Sequence, residues 1–248
     1  MEEKHISLGE HLDELRKRLI YSAIFFSVCL AVCFIFQNKI MEIICCPHFK
    51  ATNSLLKAFG PAERFVVYFK AVMIASALMA TPFALYQLWK FISAGLYEKE
   101  KKYVLFYAPF SLGLFVAGVL FGYYLFIPPT LKILYYYGDN AVVESLINFN
   151  EYFSVFVMLT LLLGLVFELP LLMLFLVQIK IINPKTYTSQ IKAAILIAFI
   201  LAAIITPTGD PITQTLVAVP LLLLYGLGIV ISFIYKYKTN RLDKERAN

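Results

Sequence analysis

The sequence predicts an all-α, polytopic integral membrane protein with six transmembrane helices, the fifth and sixth short, and both termini cytoplasmic. Three observations carry that reading. Hydrophobic residues make up 60% of the 248-residue chain and charged residues 15%, against roughly 45–50% and 25% in an ordinary soluble domain. The charges are clumped, leaving six long runs with few or none. The basic residues are dense in every second segment between those runs and sparse in the others. A water-soluble domain of this size could not hide so much apolar surface, because surface-to-volume scaling leaves most of its side chains near solvent.

The runs justify each helix in order. Leu19 to Asn38 and Ala71 to Trp89 carry no charge, and Tyr103 to Leu131 is uncharged over 29 residues. Tyr152 to Ile179 spans 28 residues with Glu168 as its one charge. About 20 residues cross the hydrocarbon, so each of these is one span. Ala193 to Gly209 is uncharged but apolar only as far as Ile205, which makes the fifth span marginal; Pro211 to Tyr235 gives the sixth. Backbone groups in lipid must bond within their own segment, and these runs lack the strict alternation of barrel strands. The first run, apolar from Leu19 to Phe36, is longer than a signal-peptide core and precedes no small-x-small cleavage pattern, so it stays as a helix.

Sixteen of the 22 basic residues lie in the tail 1–18, the segments 90–102 and 180–192, and the end after Tyr235. Basic residues accumulate in cytoplasmic loops, which places those four segments and both termini inside. The net charge of +6 follows from that asymmetry and calls for no nucleic acid. The chain reads as a single membrane domain over 1–248 with an amphipathic N-terminal segment, 1–18, and a basic tail, 236–248. Outer loops at 40–64 and 128–150 are long enough for structure of their own. In them Leu55, Leu56 and Phe59, then Val142, Val143, Leu146 and Ile147, have the spacing of short interfacial helices.

Catalysis and metal binding find little support. His5, His11 and His48 lie outside the spans in no HExxH or CxxC context. Cys29 and Cys33 share a helix face with no third ligand, and Cys45 and Cys46 take no role. No cofactor is expected. The N-terminal segment opens with a capping box, Ser7 to Glu10, and continues with Leu8, Leu12, Leu15 and Leu19 at helical spacing. Its acids precede its bases, so Asp13 with Lys17 and Glu14 with Arg18 can pair along the helix; alternatively one carboxylate faces a cationic ligand. Glu98 and Glu100, among four lysines, are either a neutralised loop or a second such site. Glu168 near the middle of the fourth span is costly unless protonated, paired or hydrated. Beside Pro170 it serves either as a structural hydrogen bond to local backbone or Gln214, or as a functional group on a water-accessible concave face bordered by helices five and six. A proton-coupled transporter of a small solute using Glu168 is the rival functional reading.

Several segments together resemble one family, the TatC subunit of the twin-arginine protein translocase. They are His11 to Leu19 (HLDELRKRL), Pro61 to Phe65 (PAERF), Pro82 through Tyr86 to Phe91 (YQLWKF) with Gly95, Leu96 and Glu100, Phe167 to Pro170 (FELP), and Thr206-Pro207 through Asp210 to Gln214. Ala94 stands where the family usually has proline before the Gly-Leu pair. The resemblance implies a non-enzymatic receptor that binds the RR motif of signal peptides on folded preproteins. It would work with the single-span proteins TatA and TatB in the cytoplasmic (inner) membrane, powered by the proton-motive force, as a homo-oligomer within a hetero-oligomeric complex surrounded by lipid. It also implies signal-peptide contacts by Glu14, Arg16, Phe91 and Glu100. The residues themselves point to Glu168 and Gln214 as intramembrane polar groups serving assembly, and Pro47, Pro61, Glu63 and Asp210 stand as an outer-loop motif. Two guanidinium forks need two separated carboxylates, which suits Glu14 and Glu100.

Overall fold

The computed structural model describes residues 8–52, 56–57, 60–96, 98–136, 148–205 and 211–247. Ser7 of the capping box, Leu55, Phe59, Val142, Val143, Leu146, Ile147 and the segment Thr206 to Asp210 lie outside the described residues. The described residues are almost entirely helical, with one isolated bridge between Lys57 and Asn148.

Helix α1, Leu8–Ile35, runs without interruption from the amphipathic segment into the first span. A tight turn at Phe36, whose N–H reaches the Cys33 carbonyl at 3.1 Å, separates it from α2, Gln37–Thr52. Helix α3, Pro61–Ala94, starts with Pro61, where a missing N–H costs nothing, and with Glu63 in its first turn, where a carboxylate complements the helix dipole. It runs helically through Ala94, a residue free to stay in the helix where a proline would have pushed Ser93 out of it.

The third span is α4, Glu98–Phe121, and α5, Ile127–Tyr136, joined by a single π turn over Gly122–Phe126. Pro128 and Pro129 cannot donate to the preceding turn, and the N–H of Ile127 bonds instead to Gly122, five residues back. The fourth span breaks similarly into α6, Phe149–Val166, and α7, Leu169–Gln178. Pro170 removes the donor that would have bonded the Val166 carbonyl, and Glu168 becomes the residue preceding α7. A short helix α8, Pro184–Ser189, capped by the Asn183 side chain, leads to α9, Ile191–Ile205, and then to α10, Pro211–Ala247.

Five of these helical stretches are long and apolar enough to cross a membrane, and α9 is a shorter sixth. At 1.5 Å per residue its 15 residues reach about 22 Å against a hydrocarbon core of about 30 Å. The expected shortness of the sixth span is corrected. Helix α10 continues for 37 residues, through Arg241 and into the basic tail. Its end is rich in Lys and Arg, good helix formers whose charge complements the negative end of the helix dipole, so the helix does not stop where apolarity does.

The chain forms two compact units, Met1–Leu161 and Leu162–Asn248. In the first, α1 packs along α3, α3 against α4, and α2 against α3 and α5, around Trp89, Tyr107, Phe115, Tyr152 and Leu131. In the second, α10 packs against α7, α8 and α9. Large apolar side chains point outward along the spans, such as Ile35 at 77% and Ile204 at 73% exposure; a bilayer covers these at no cost, whereas water would not.

Candidate signal-peptide site

The helices α1 and α3 run antiparallel, and four cross-helix pairs record their register. Cys33 Sγ lies 3.5 Å from Met79 Sδ, the rings of Phe25 and Phe83 stack at 4.4 Å, Arg18 reaches Gln87, and His11 stacks on Phe91 at 4.4 Å. This register brings the start of α1 to the end of α3. Within two turns of that end lie His11, Glu14, Arg18, Gln87, Phe91 and Gly95.

Spacing explains the grouping. His11, Glu14 and Arg18 are three and four residues apart and share one face of α1, as Gln87 and Phe91 share one face of α3. Arg18 Nη2 donates to Glu14 Oε1, and Arg18 Nη1 donates to Gln87 Oε1 at 3.2 Å. The Arg18 and Glu14 side chains are 17% and 26% exposed, and Gln87 is buried. The pair anticipated within the N-terminal helix therefore exists, and its guanidinium fork also reaches the neighbouring helix. Arg16 lies about 200° round the helix from Arg18 and is exposed, so the structure does not bring it to the cluster of Glu14 and Phe91. Asp13 and Lys17 are both exposed.

The His11 ring is packed closely. A methyl group at Gly95 would stand 3.3 Å from its Cε1, and its Nδ1 is buried without a hydrogen-bond partner. Beside it, Lys90 Nζ sits 5.4 Å from the centre of the Tyr86 ring. Glu100 falls in the first turn of α4, one short connection after α3, with Glu98 two residues before it; the Glu100 side chain lies outside the described residues. The positive end of the α4 dipole favours carboxylates there.

The remaining predicted residues lie elsewhere. Glu168 is 5% exposed, so the expected open, water-accessible setting is replaced by a buried one at the break between α6 and α7. Gln214 donates from Nε2 to the Phe199 carbonyl at 2.9 Å, tying α10 to α9. Pro47 is buried inside α2, Pro61 and Glu63 begin α3, and Asp210 is outside the described residues. Sequence reasoning assigned no role to His11 or Gln87. The available signal was their helical spacing from Glu14 and Phe91.

Residues 10–220 match the family model described as Sec-independent protein translocase protein (TatC). The chain is 36% identical to the Sec-independent protein translocase protein TatC of Koribacter versatilis, over 98% of this chain and 90% of that one. It is also 36% identical to TatCy of Bacillus subtilis, over 94% and 91%. A crystal structure described as the twin arginine translocase receptor TatC superposes with a TM-score of 0.80 at 33% identity, covering 91% of this chain and 99% of that one. Fold and comparisons together define a multi-pass helical membrane protein of the protein-translocase class. The chain belongs to the TatC family, a subunit of the Sec-independent translocase and not an enzyme. That membership does not favour the solute transporter suggested by Glu168.

Proposed function

We propose that this chain is the signal-peptide receptor and core subunit of a twin-arginine translocase. The single observation that carries the reading is the convergence of Glu14 and Phe91 beside the connection that leads to Glu100. A half-buried carboxylate beside an aromatic face is the chemistry that holds a guanidinium, by bidentate hydrogen bonding and stacking. Glu14 takes one arginine of the RR motif and Glu100 the other, Phe91 covers their aliphatic stems, and Arg16 lies at the rim. This end of the protein faces the cytoplasm, together with both termini, in the inner membrane. The receptor then recruits TatA and TatB into a hetero-oligomeric complex containing several copies of this chain, with Glu168 and Gln214 serving assembly and the proton-motive force driving transport.

The test is binding of an RR signal peptide to the full-length protein in lipid nanodiscs. Losing one partner of a partly desolvated charge-assisted pair costs a few kcal/mol. Glu100→Ala is therefore expected to weaken binding about tenfold or more, and Glu98→Ala to change it little. Unchanged affinity in a folded Glu100→Ala protein would overturn the assignment.

A further inference from the structure

We infer that Gln87 is a positioning residue for signal-peptide binding, acting through Arg18 on the Glu14 carboxylate. The inference rests on the receptor reading above and extends it to a residue that cannot itself meet the ligand. Gln87 is 6% exposed and its side-chain oxygen accepts from Arg18 Nη1 at 3.2 Å. The other arm of the same guanidinium holds Glu14 Oε1. The three side chains thus form a chain running outward, from buried Gln87 on α3 through half-buried Arg18 to the more exposed Glu14 on α1.

The guanidinium is planar, with its donors in a fixed fork. An anchor on one arm therefore sets the position and plane of the other. Without Gln87, a Glu–Arg pair four residues apart on a helix surface is loosely held and screened by water. With it, Glu14 Oε1 is pinned, and the carboxylate keeps a defined orientation in which Oε2 and the second lone pair of Oε1 remain to accept from an incoming guanidinium fork. A pre-ordered carboxylate loses less side-chain freedom on binding than a mobile one. Arg18 also balances the charge of Glu14, so orientation, more than net negative charge, distinguishes this acid from others on the surface. A forked arginine benefits from a fixed acceptor geometry, whereas a lysine ammonium, a point charge with rotatable donors, benefits less. The relay therefore contributes to discrimination between RR and KK sequences as well as to affinity.

The experiment is a double-mutant cycle on the full-length protein in nanodiscs, read with a fluorescent RR signal peptide and its KK counterpart. Gln87→Leu removes the anchor at similar volume. It is expected to weaken RR binding five- to tenfold, to narrow the RR-to-KK ratio, and to have no further effect in a Glu14→Gln background. Gln87→Glu, which keeps an acceptor for Arg18, is expected to bind RR within about twofold of the parent and covers the case in which the leucine variant does not fold. Equal losses from Gln87→Leu with and without the Glu14 carboxylate would show a general structural role and overturn the relay. So would parental or tighter binding by folded Gln87→Leu, or a Gln87→Glu protein as weak as a Glu14 variant. Failure of the receptor reading has a separate signature, since Glu14→Gln alone would then bind RR peptide as the parent does.

Discussion

The hydroxyl of Tyr123 donates to the carbonyl oxygen of Ile43 at 2.7 Å. Ile43 is the residue four before Pro47, whose missing N–H leaves that carbonyl without its helical partner. A tyrosine from the π turn thus completes the hydrogen bonding of α2, and Tyr152 of α6 donates to the next carbonyl, that of Ile44. These contacts explain how a proline is carried inside a 16-residue helix.

Tyr123→Phe is therefore expected to destabilise the protein by about 1 kcal/mol, the usual net value of one such bond. The loss should be smaller in a Pro47→Ala background, where the alanine backbone supplies the N–H that the Ile43 carbonyl lacks. Thermal unfolding of the four proteins in one detergent measures the coupling, and identical losses in both backgrounds would refute it.

Helix α10 meets α7 at Gly228. A Cβ there would run into Met173 Sδ and stand 3.2 Å from the Pro170 Cα, a backbone atom that cannot swing aside. Two residues earlier, a Cβ at Gly226 would meet nothing within 4 Å. Gly226→Ala is expected to be neutral or to stabilise by up to about 1 kcal/mol through helix propensity. Gly228→Ala is expected to destabilise by about 1–3 kcal/mol through overpacking. The ordering of melting temperatures, Gly226→Ala above Gly228→Ala, checks the packing.

Much of the architecture is legible in the sequence because apolar run length alone sets it. The spans at Ala71 to Trp89 and Tyr152 to Ile179 are visible in any hydropathy reading, and so is the shortness of α9. The interruptions are harder to read. The turn at Phe36 and the π turn at Gly122–Phe126 depend on which carbonyls find substitute donors, a question answered across the fold. The extent of α10 escapes a hydropathy reading because a charge-free run measures what lipid tolerates, while the helix ends where backbone bonding ends. At the site, Glu14 and Phe91 stand in local motifs, but Gln87 lies 69 residues from Arg18. Only the antiparallel register of α1 and α3 brings the two together. Similarly, Gln214 is a candidate partner for Glu168 by sequence, and in the fold its amide bonds to Phe199.

Lys180 holds a positive φ of 61° at the end of α7. Its N–H bonds to Val177 and that of Ile181 to Leu176, the paired pattern in which glycine is the usual residue at the left-handed position. Lys180→Gly is expected to stabilise by about 1 kcal/mol, since the side chain meets a steric penalty there that glycine does not. A lowered melting temperature would show that the lysine side chain contributes more than its backbone costs.

Burial raises the Cys45 thiol from 9.0 to about 11. The folded protein thus binds this proton more tightly than the unfolded chain, so the associated stability is present below pH 9 and is lost as pH rises through 11. Cys45→Ala should flatten that part of the stability–pH profile, and alkylation of Cys45 in the folded protein should be slow at neutral pH. Rapid neutral-pH modification of Cys45, located by peptide mapping, would contradict the raised thiol.

The proposed receptor role assigns the reading of paired arginines to the carboxylates of Glu14 and Glu100. The most direct measurement is the affinity of the full-length protein in nanodiscs for RR and KK signal peptides, compared between the parent and Glu14→Gln. The parent should prefer RR by about tenfold or more, as expected when bidentate charge-assisted bonds are replaced by point contacts. Glu14→Gln should lose most of that preference while keeping the parent melting temperature. A parent that binds RR and KK alike, or a Glu14→Gln protein with the full parental preference, would overturn the role of Glu14 in reading the arginines.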